Sequence, residues 1–336
     1  MNKEANYSHN SLSRWSHQLN CENNKAKINR LFAQRRVLVT GGGGFIGRHL
    51  VRRLISADSQ VISLGGNRDS AELVDGAHYI FGDISRDTLE TVEFEPNIVF
   101  HLAGGASVGA SIANPPEDFL KTVYSSVLLL DFLRRNWPEA TLVYVSSAAI
   151  YGEASHKEAS HDLTCLPLSP YGVHKRLVEF LLLDHARLYG TRSVIIRPFS
   201  VYGIGLEKQL LWDALEKARR GVFEFFGTGN ELRDWVYVSD LVQCLMLASE
   251  EAERDVPVFN AGTCRGTSVK EVLTELLHLS GEDREPIFLG APKVGDPDRL
   301  VADDSIESLL GPLFITPMRE GLQAYVNWYQ SRRRVD

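Results

Sequence analysis

The sequence predicts an α/β fold built on a doubly wound parallel sheet. From residue 36 onward, short apolar runs alternate with longer segments of helical periodicity, which is the pattern of strand–helix–strand units. The apolar runs are nearly continuous, as expected for parallel strands that are buried on both faces. Such strands need helices on both sides of the sheet. The 336 residues are enough for one large unit or for two domains.

Six strands are expected in the first part of the chain, over Val37–Thr40, Gln60–Leu64, His78–Phe81, Asn97–Leu102, Leu142–Ser147 and Ser193–Arg197. Helices are expected between them, over Phe45–Ser56, 85–93, 117–136 and 171–189. Farther along, the sequence predicts a helix over Lys208–Arg220, a strand near Phe223–Phe226, a helix over Val238–Ser249 and a mixed tail. Residues 1–35 are expected to be an N-terminal extension, flexible at first and ending in a short helix over Lys27–Gln34.

Composition and charge exclude several classes of function. A net charge of −7 leaves no broad basic surface for the phosphates of a nucleic acid. No apolar stretch reaches the length of a membrane span, so no membrane partner is expected. The 4 cysteines form no Cys-x-x-Cys pair and have no histidine at metal-ligand spacing. We therefore expect free thiols, no bound metal and a cytoplasmic location.

A glycine-rich segment, TGGGGFIG, joins the first expected strand to the first expected helix. In such a segment Gly41 allows a tight turn, Gly44 lets the backbone approach a pyrophosphate, and Gly47 lets the helix pack closely on the strand. The amides at the helix N-terminus, including those of Phe45 and Ile46, supply hydrogen-bond donors to the phosphates. Because the segment lies between a strand and a helix, it predicts a dinucleotide-binding site.

The end of the second expected strand bears on the choice of cofactor. An acidic residue in this place would bind the ribose 2′-hydroxyl of NAD, but the strand runs into Gly-Gly-Asn67-Arg68. A neutral pocket beside a guanidinium suits a 2′-phosphate, so the sequence slightly favours NADP(H) over NAD(H). Two alternatives stay open, because Arg68 can be a solvated loop residue and Asp69 can turn toward the ribose. Asp83 is expected to cap the next helix or to accept a hydrogen bond from the adenine amino group.

Tyr171 and Lys175 form a Tyr-x-x-x-Lys pair that suits acid–base chemistry. On a helix the two residues share one face, so the Lys175 ammonium can stabilise the Tyr171 phenolate. A tyrosine needs this help, since its unperturbed pKa is about 10. Ser147 ends an expected strand, where its hydroxyl can bind the same reacting oxygen. His174 points to another face and is expected to be a surface or packing residue.

In this order the motifs resemble those of the extended short-chain dehydrogenase/reductase family, also called NAD-dependent epimerases/dehydratases, which act mainly on nucleotide sugars. The resemblance extends over roughly residues 36–330. Further motifs that carry it are His101–Gly104, Ile196–Gly203, Gly227–Gly229, Arg233–Asp240 and Glu320–Leu322. The resemblance implies a Rossmann-type dinucleotide-binding domain over 36–197, a mainly substrate-binding region over 198–336 and a nucleotide-activated sugar as substrate. It also implies a homodimer packed through helices 117–136 and 171–189.

The resemblance further implies roles for individual residues. Tyr171 would donate or accept a proton, Lys175 would tune Tyr171 and bind the cofactor ribose, and Ser147 would hydrogen-bond the reacting oxygen. The implied cofactor contacts are Gly41, Gly44, Phe45, Ile46, Gly47, Asn67, Arg68, Asp83, Ile84, Leu102, Ala103, Lys175 and Pro198. The implied substrate contacts are Ser147, Ser200, Lys208, Arg233, Lys293 and Arg299. Arg233 lies in a matching motif, whereas Lys208 and Lys293 are equally explained as ordinary exposed lysines.

One departure from the family narrows the reaction. The 4,6-dehydratases carry an Asp-Glu pair where this chain has Ala148 and Ala149, so a dehydratase is not expected. The first interpretation is a 4-ketoreductase that uses NAD(P)H on a nucleotide-linked 4-keto-6-deoxyhexose, in deoxysugar or surface-polysaccharide biosynthesis. The alternative is a C4 epimerase, similar to UDP-glucose 4-epimerase, with retained NAD. A non-catalytic dinucleotide-sensing protein is a weaker third interpretation, since Ser147, Tyr171 and Lys175 are all intact.

Overall fold

The computed structural model describes residues 22–66, 73–105, 107–152, 165–290 and 297–332. The strands are β1 (Arg36–Thr40), β2 (Gln60–Leu64), β3 (His78–Ile80), β4 (Ile98–His101), β5 (Thr141–Val145), β6 (Ser193–Pro198), β7 (Ser200–Tyr202), β8 (Glu224–Phe225), β9 (Leu232–Tyr237), β10 (Val258–Ala261), β11 (Gly266–Ser268), β12 (Ile287–Phe288) and β13 (Arg299–Leu300). The helices are α1 (22–32), α2 (Phe45–Ser56), α3 (Arg86–Glu90), α4 (Val108–Ala113), α5 (Pro115–Phe119), α6 (Ser125–Asn136), α7 (Pro170–Tyr189), α8 (Gln209–Arg219), α9 (Val238–Ala248), α10 (Val269–Leu279), α11 (Ser305–Leu310) and α12 (Met318–Arg332). In these ranges no helix combines the length and apolarity needed to cross a lipid bilayer.

Seven strands form the central sheet, in the order β3-β2-β1-β4-β5-β6-β10. All neighbouring pairs in this sheet are parallel. Thr40 of β1 pairs with Leu64 of β2 and with His101 of β4, so the loops after these three strands start at the same edge. Strand order reverses between β1 and β4, and a crevice opens at such a point beyond the carboxyl ends of the strands. The predicted doubly wound α/β fold is confirmed.

Alternate residues of each strand face the two sides of the sheet. Val37 and Val39 of β1 pack in a core with residues of α2 and α9, whereas Leu38 between them packs with residues of α6 and α7. All three side chains are fully buried. Because both faces carry an apolar core, these strands appear in the sequence as continuous apolar runs.

The C-terminal part of the chain contributes to the sheet and also forms a layer of its own. Strand β10 and helix α9 complete the sheet and one of its cores, although both follow residue 197. Helices α8, α10 and α12 enclose a third core around Leu215, Leu276 and Tyr325. Beside this core, β7, β11 and β13 all pair with β9 in a smaller sheet. The predicted domain division at residue 197 stays a prediction, and the central sheet extends across it.

The N-terminal extension differs from expectation over the residues that the structure describes. Helix α1 includes residue 22, five residues before the expected start at Lys27, and its Ile28 and Phe32 are fully buried. Phe32 stacks on Phe100 of β4, with ring centroids 6.2 Å apart. Ile28, Leu31 and Phe32 lie on one helix face, which explains why α1 packs into the core of the α2 side. Residues 1–21 lie outside the described residues.

The helix expected over 117–136 starts earlier and is not uniform. Pro115 and Pro116 open α5, where the fixed φ of proline suits a first helical position, and Asn114 caps it. One π-helical turn over Leu120–Tyr124 then joins α5 to α6. Such a turn inserts an extra residue into a helix and is frequent at functional sites. Leu120, Lys121 and Tyr124 all line the cleft described below.

Candidate active site

A cleft of about 1530 Å³ lies along the carboxyl ends of the central strands, between the sheet and the C-terminal layer. The expected site residues that line it are Gly41, Gly44, Phe45, Ile46, Gly47, Asp83, Ile84, Leu102, Ala103, Ser147, Tyr171, Lys175, Pro198, Ser200, Lys208 and Arg233. Arg299 on β13 is not part of this lining, although its neighbour Leu300 is. Asn67, Arg68 and Lys293 lie outside the described residues. In the part of the chain that the structure describes, no group of His, Cys, Asp or Glu could hold a metal ion.

The glycine-rich loop between β1 and α2 forms one wall of the cleft. Gly41 has a φ of +74°, in the left-handed region that favours glycine. A Cβ atom on Gly47 would lie 2.2 Å from the carbonyl oxygen of Gly41, so α2 can start this close to the loop only with glycine there. No side chain caps the N-terminus of α2, and its first turn holds no acidic residue. The amides and the positive end of the helix dipole therefore suit an anionic pyrophosphate.

The adjoining wall follows β2 and β3 and corrects one expectation. Asp83 does not cap the next helix, because α3 starts at Arg86 and Ser85 is its cap. The Ser85 side chain accepts a hydrogen bond from the Thr88 amide, and the Ser85 amide donates one to the Thr88 side chain. Asp83 instead lines the cleft together with Ile84. Its contact with an adenine ring stays a prediction.

Ser147, Tyr171 and Lys175 meet in the cleft. Tyr171 and Lys175 lie one turn apart on α7, with the Lys175 Nζ atom 6.0 Å from the centroid of the Tyr171 ring. The Tyr171 phenol hydrogen-bonds the Ser147 side chain, which follows β5. Lys175 is buried and donates a 2.9 Å hydrogen bond to the carbonyl oxygen of Val145. A pair of hydroxyl groups thus faces the cleft with an ammonium group behind them.

Burial controls the proton affinities of this group. It lowers the pKa of Lys175 to about 8, although the carboxylates of Asp118 and Glu179 act in the opposite direction. Burial also raises the pKa of Tyr171, while the hydrogen bond to Ser147 lowers it. At neutral pH Lys175 is therefore charged but close to its titration point, and Tyr171 is protonated. Nearby positive charge is what would allow Tyr171 to release its proton.

The C-terminal layer contributes positive charge to the cleft. Arg233 on β9 is buried and donates a 3.0 Å hydrogen bond to the carbonyl oxygen of Leu232. Lys208 directly precedes α8 and is exposed where it lines the cleft. Ser200 on β7 pairs in register with Trp235 of β9. The structure therefore brings the expected Ser200, Lys208 and Arg233 to one cleft, and two of them are cations that suit a diphosphate.

A buried histidine–carboxylate contact next to this group was not visible in the sequence. Of the two expected roles of His174, surface or packing, the structure shows packing, because its Nδ1 atom lies 2.6 Å from Oδ2 of Asp118 and both side chains are buried. The Asp118 carboxylate also acts on the pKa values of Tyr171 and Lys175. A histidine next to Lys175 in the chain could have suggested a partner. The partner lies 56 residues away, however, and spacing cannot identify it.

A family profile matches most of the chain. The profile described as the NAD-dependent epimerase/dehydratase family matches residues 37–262. The chain belongs to this family. The matched region of the NAD-dependent epimerase/dehydratase fold runs from β1 to just past β10, so it includes the glycine-rich loop as well as Ser147, Tyr171 and Lys175. The resemblance inferred from the motifs is confirmed.

Individual members of the NAD-dependent epimerase/dehydratase family are similar to this chain along most of their length. The UDP-glucose 4-epimerase of Azospirillum brasilense is 32% identical over 307 residues, which cover 83% of this chain and 87% of the relative. The crystal structure of UDP-glucose 4-epimerase from Thermotoga maritima with UDP-glucose has a TM-score of 0.81 and 31% identity, covering 90% of this chain and 100% of that chain. The UDP-glucose 4-epimerase of Thermus thermophilus in complex with NAD has a TM-score of 0.79 and 28% identity, covering 88% and 99%.

Proposed function

We propose that the protein is a nucleotide-sugar C4 epimerase that works with a retained NAD. The observation that carries the proposal is the hydrogen-bonded group of Ser147, Tyr171 and Lys175, which opens into a cleft between an anion-binding loop and the cations of the C-terminal layer. Similarity to UDP-glucose 4-epimerases over most of the chain supports this reaction over the 4-ketoreductase that the sequence favours. The sequence could not separate the two, because both reactions use the same three side chains.

The residues at the strand ends fit a bound dinucleotide. The glycine-rich loop would hold the pyrophosphate against the N-terminus of α2, and Lys175 would bind the ribose. The remaining contacts would come from Asp83, Ile84, Leu102, Ala103 and Pro198, all of which line the same cleft. When bound, NAD supplies reversible hydride transfer at its nicotinamide ring.

The choice of NAD rather than NADP departs from the sequence-based preference. That preference depends on Asn67 and Arg68, which lie outside the described residues, and on the absence of an acidic residue at the end of β2. The NAD complex of the Thermus thermophilus relative supports NAD. Retention also suits an epimerase, because the same cofactor molecule must accept and return the hydride within one turnover. The NADP(H) alternative is decided by the cofactor that the purified protein contains.

The chain's own residues would move one proton at the C4 oxygen of the sugar. Tyr171 would take the proton from the C4 hydroxyl when the sugar is oxidised and return it when the sugar is reduced from its other face. Ser147 would hold the same oxygen through its hydroxyl, since it already hydrogen-bonds Tyr171. Burial raises the pKa of Tyr171, so the charge of Lys175 would stabilise the phenolate that forms.

We further propose a UDP-hexose as the substrate. Arg233 and Lys208 would bind the diphosphate, with Ser200 near the sugar, since all three line the cleft. Ala148 and Ala149 also line it and offer no second acid or base for elimination of water. The Thermotoga maritima relative, solved with UDP-glucose, supports this class of substrate. Arg299 has less support as a substrate contact, because it does not line the cleft.

One pair of assays tests the reaction. The purified protein is first analysed for bound nucleotide by absorption and mass spectrometry, and is then incubated with UDP-glucose or UDP-galactose without added cofactor. An epimerase interconverts the two sugars, whereas a 4-ketoreductase leaves them unchanged and oxidises NADPH in proportion to an added 4-keto-6-deoxy nucleotide sugar. The variant Tyr171→Phe controls for contaminating activity in both assays. A dinucleotide-sensing protein would bind nucleotide and give neither reaction.

We also propose a homodimer formed by helices α6 and α7, which contact each other. The leucines at 128–130 and at 181–182 pack in or against the core and are therefore not free for a partner. Exposed apolar residues of this region include Tyr124, Val127, Val173, Leu177, Phe180 and Leu183. Light scattering of the purified protein should give a dimer, and Phe180→Glu should give a monomer. Leu309→Glu on α11 is the matched control, because both residues are 51% exposed. A dimeric Phe180→Glu variant would contradict the proposal.

A further inference from the structure

A buried, hydrogen-bonded pair of side chains lies behind the proposed acid–base group. Asp118 on α5 and His174 on α7 are 6% and 8% exposed, and Nδ1 of His174 is 2.6 Å from Oδ2 of Asp118. The other carboxylate oxygen of Asp118, Oδ1, faces the loop that follows β4. A Cβ atom on Gly105 would lie 1.7 Å from Oδ1, so this loop rests on the carboxylate and has no room for a side chain. Gly105 itself lines the cleft, together with Gly104.

The pair also supplies negative charge to Lys175. The titratable groups that face Lys175 are Tyr171 and Glu179 on α7, Asp118 on α5, Tyr144 on β5 and His101 on β4. Asp118 and Glu179 are the carboxylates among them. Both raise the pKa of Lys175 and so oppose the effect of burial, and the effect of Asp118 is larger than that of Glu179. Glu179 is bound to Arg197, whose guanidinium contacts both of its oxygens at 3.1 and 2.8 Å. Asp118 is bound to a histidine, which in its neutral form leaves the charge of the carboxylate in place.

A contact that only joined α5 to α7 would not need charge. Burying a carboxylate costs free energy that burying an apolar side chain does not. We propose that Asp118 and His174 form a positioning pair, in which Asp118 keeps Lys175 charged and supports the Gly104–Gly105 loop at the cleft, and His174 orients the Asp118 carboxylate. The proposal rests on the proposed role of Lys175. Neither Asp118 nor His174 lines the cleft, so they act through Lys175 and the loop.

Three variants separate charge from shape. Asp118→Asn removes the negative charge and keeps the size of the side chain. His174→Asn keeps a hydrogen-bond donor at the place of Nδ1 and leaves the carboxylate charged. Asp184→Asn is the matched control, because Asp184 is an exposed carboxylate on the same helix and pairs with Arg187.

Two measurements follow the charge of Lys175 in each variant. The first is the pH dependence of kcat/KM for UDP-hexose epimerisation. The second is the rate at which trace acetic anhydride acetylates Lys175 as the pH is raised, read by peptide mass spectrometry. Lys175 lines the cleft, and this second measurement does not depend on turnover of the sugar. If the protein does not epimerise sugars, the proposed function fails, and the acetylation midpoint still reports on the pair.

The expected shift follows from the sign of the interaction. A nearby charge of opposite sign typically shifts a pKa by about 1 unit or more. Loss of Asp118 should therefore lower the pKa of Lys175 from about 8 to about 7. At about pH 8 the charged fraction of Lys175 would fall from about one half to about one tenth, a roughly fivefold loss of activity.

Asp118→Asn should thus move both the acetylation midpoint and the alkaline limit of kcat/KM to lower pH by about 1 unit. His174→Asn should lower kcat without moving either value, and Asp184→Asn should change neither. An acetylation midpoint that is unchanged in Asp118→Asn would overturn the proposal. An equal shift of the acetylation midpoint in His174→Asn would also overturn the proposal, because that variant retains the carboxylate charge.

Discussion

Replacing Glu179 with glutamine should destabilise the protein, because it leaves a buried guanidinium without its counter-charge. Glu179 on α7 and Arg197 on β6 are both 5% exposed. Nε of Arg197 donates to Oε1 of Glu179 at 3.1 Å, and Nη2 donates to Oε2 at 2.8 Å. Nη1 donates to the Tyr151 hydroxyl at 2.8 Å, which in turn donates to Oδ1 of Asn260 on β10 at 2.7 Å. The ion pair therefore connects α7 to two neighbouring strands of the sheet.

The size of the effect can be worked out from this geometry. Removing one partner of a buried ion pair typically costs about 3–5 kcal/mol, because the other charge stays buried. Glutamine keeps one acceptor oxygen, and the bond to Tyr151 remains, so we expect about 3 kcal/mol. An unfolding entropy of about 2.1 cal/mol/K per residue gives about 0.7 kcal/mol/K for 336 residues. A loss of about 3 kcal/mol then lowers Tm by about 4 °C.

Calorimetry or scanning fluorimetry at neutral pH measures this change. Glu282→Gln is the matched control, because Glu282 contacts Arg284 with the same two bonds, at 2.9 and 2.7 Å. That pair lies at the surface, where water replaces the lost contacts. The Tm of Glu282→Gln should therefore equal that of the unmodified protein. The reasoning is refuted if Glu179→Gln has an unchanged Tm, or if both variants lose the same amount.

Tyr171→Phe should lower kcat roughly 10³-fold, because it removes the group that moves the proton. The amount of retained NAD, measured by absorption, should not change. Near-normal turnover would exclude that role. Gly47→Ala should lower both retained NAD and Tm, because its Cβ would lie 2.2 Å from the carbonyl oxygen of Gly41. Gly43→Ala is the control, because an added Cβ at Gly43 would have no atom within 4 Å and the Tm should stay normal. Equal Tm values in the two variants would contradict the packing argument. In the unmodified protein, kcat/KM should fall as the pH rises through about 8, because burial lowers the pKa of Lys175 to about 8 and its charged form is the active one. A rate that stays constant to about pH 10 would remove Lys175 from the mechanism.

The features predicted correctly from the sequence depend on residues that are close together along the chain. Tyr171 and Lys175 lie four positions apart on α7, and helix geometry alone puts them on one face. The glycine-rich loop is recognisable because its strand, turn and helix are consecutive. The parallel sheet is recognisable because strands buried on both faces are continuously apolar.

The features that differ from prediction depend on contacts between distant parts of the chain. Helix α1 was expected to belong to an N-terminal extension, but its Phe32 stacks on Phe100 of β4. For His174 the sequence left a surface or a packing role open, and it could not show the contact with Asp118, which lies 56 residues away. The capping role expected for Asp83 was wrong for a local reason. Asp and Ser can both cap a helix, and α3 starts at Arg86, which makes Ser85 the cap. Spacing along the chain carries no information about which distant carboxylate a histidine will meet.

The sequence by itself determined the fold class, the strand–glycine-rich loop–helix unit and the shared helix face of Tyr171 and Lys175. Short-range geometry and the burial of strands leave local patterns in a sequence. The tertiary structure decided which of the expected substrate residues share one cleft, bringing Arg233 and Lys208 to it and leaving Arg299 outside its lining. It also decided the electrostatic setting of Lys175. Burial and the field of Asp118 act through space, and their strengths depend on distances that exist only once the chain has folded.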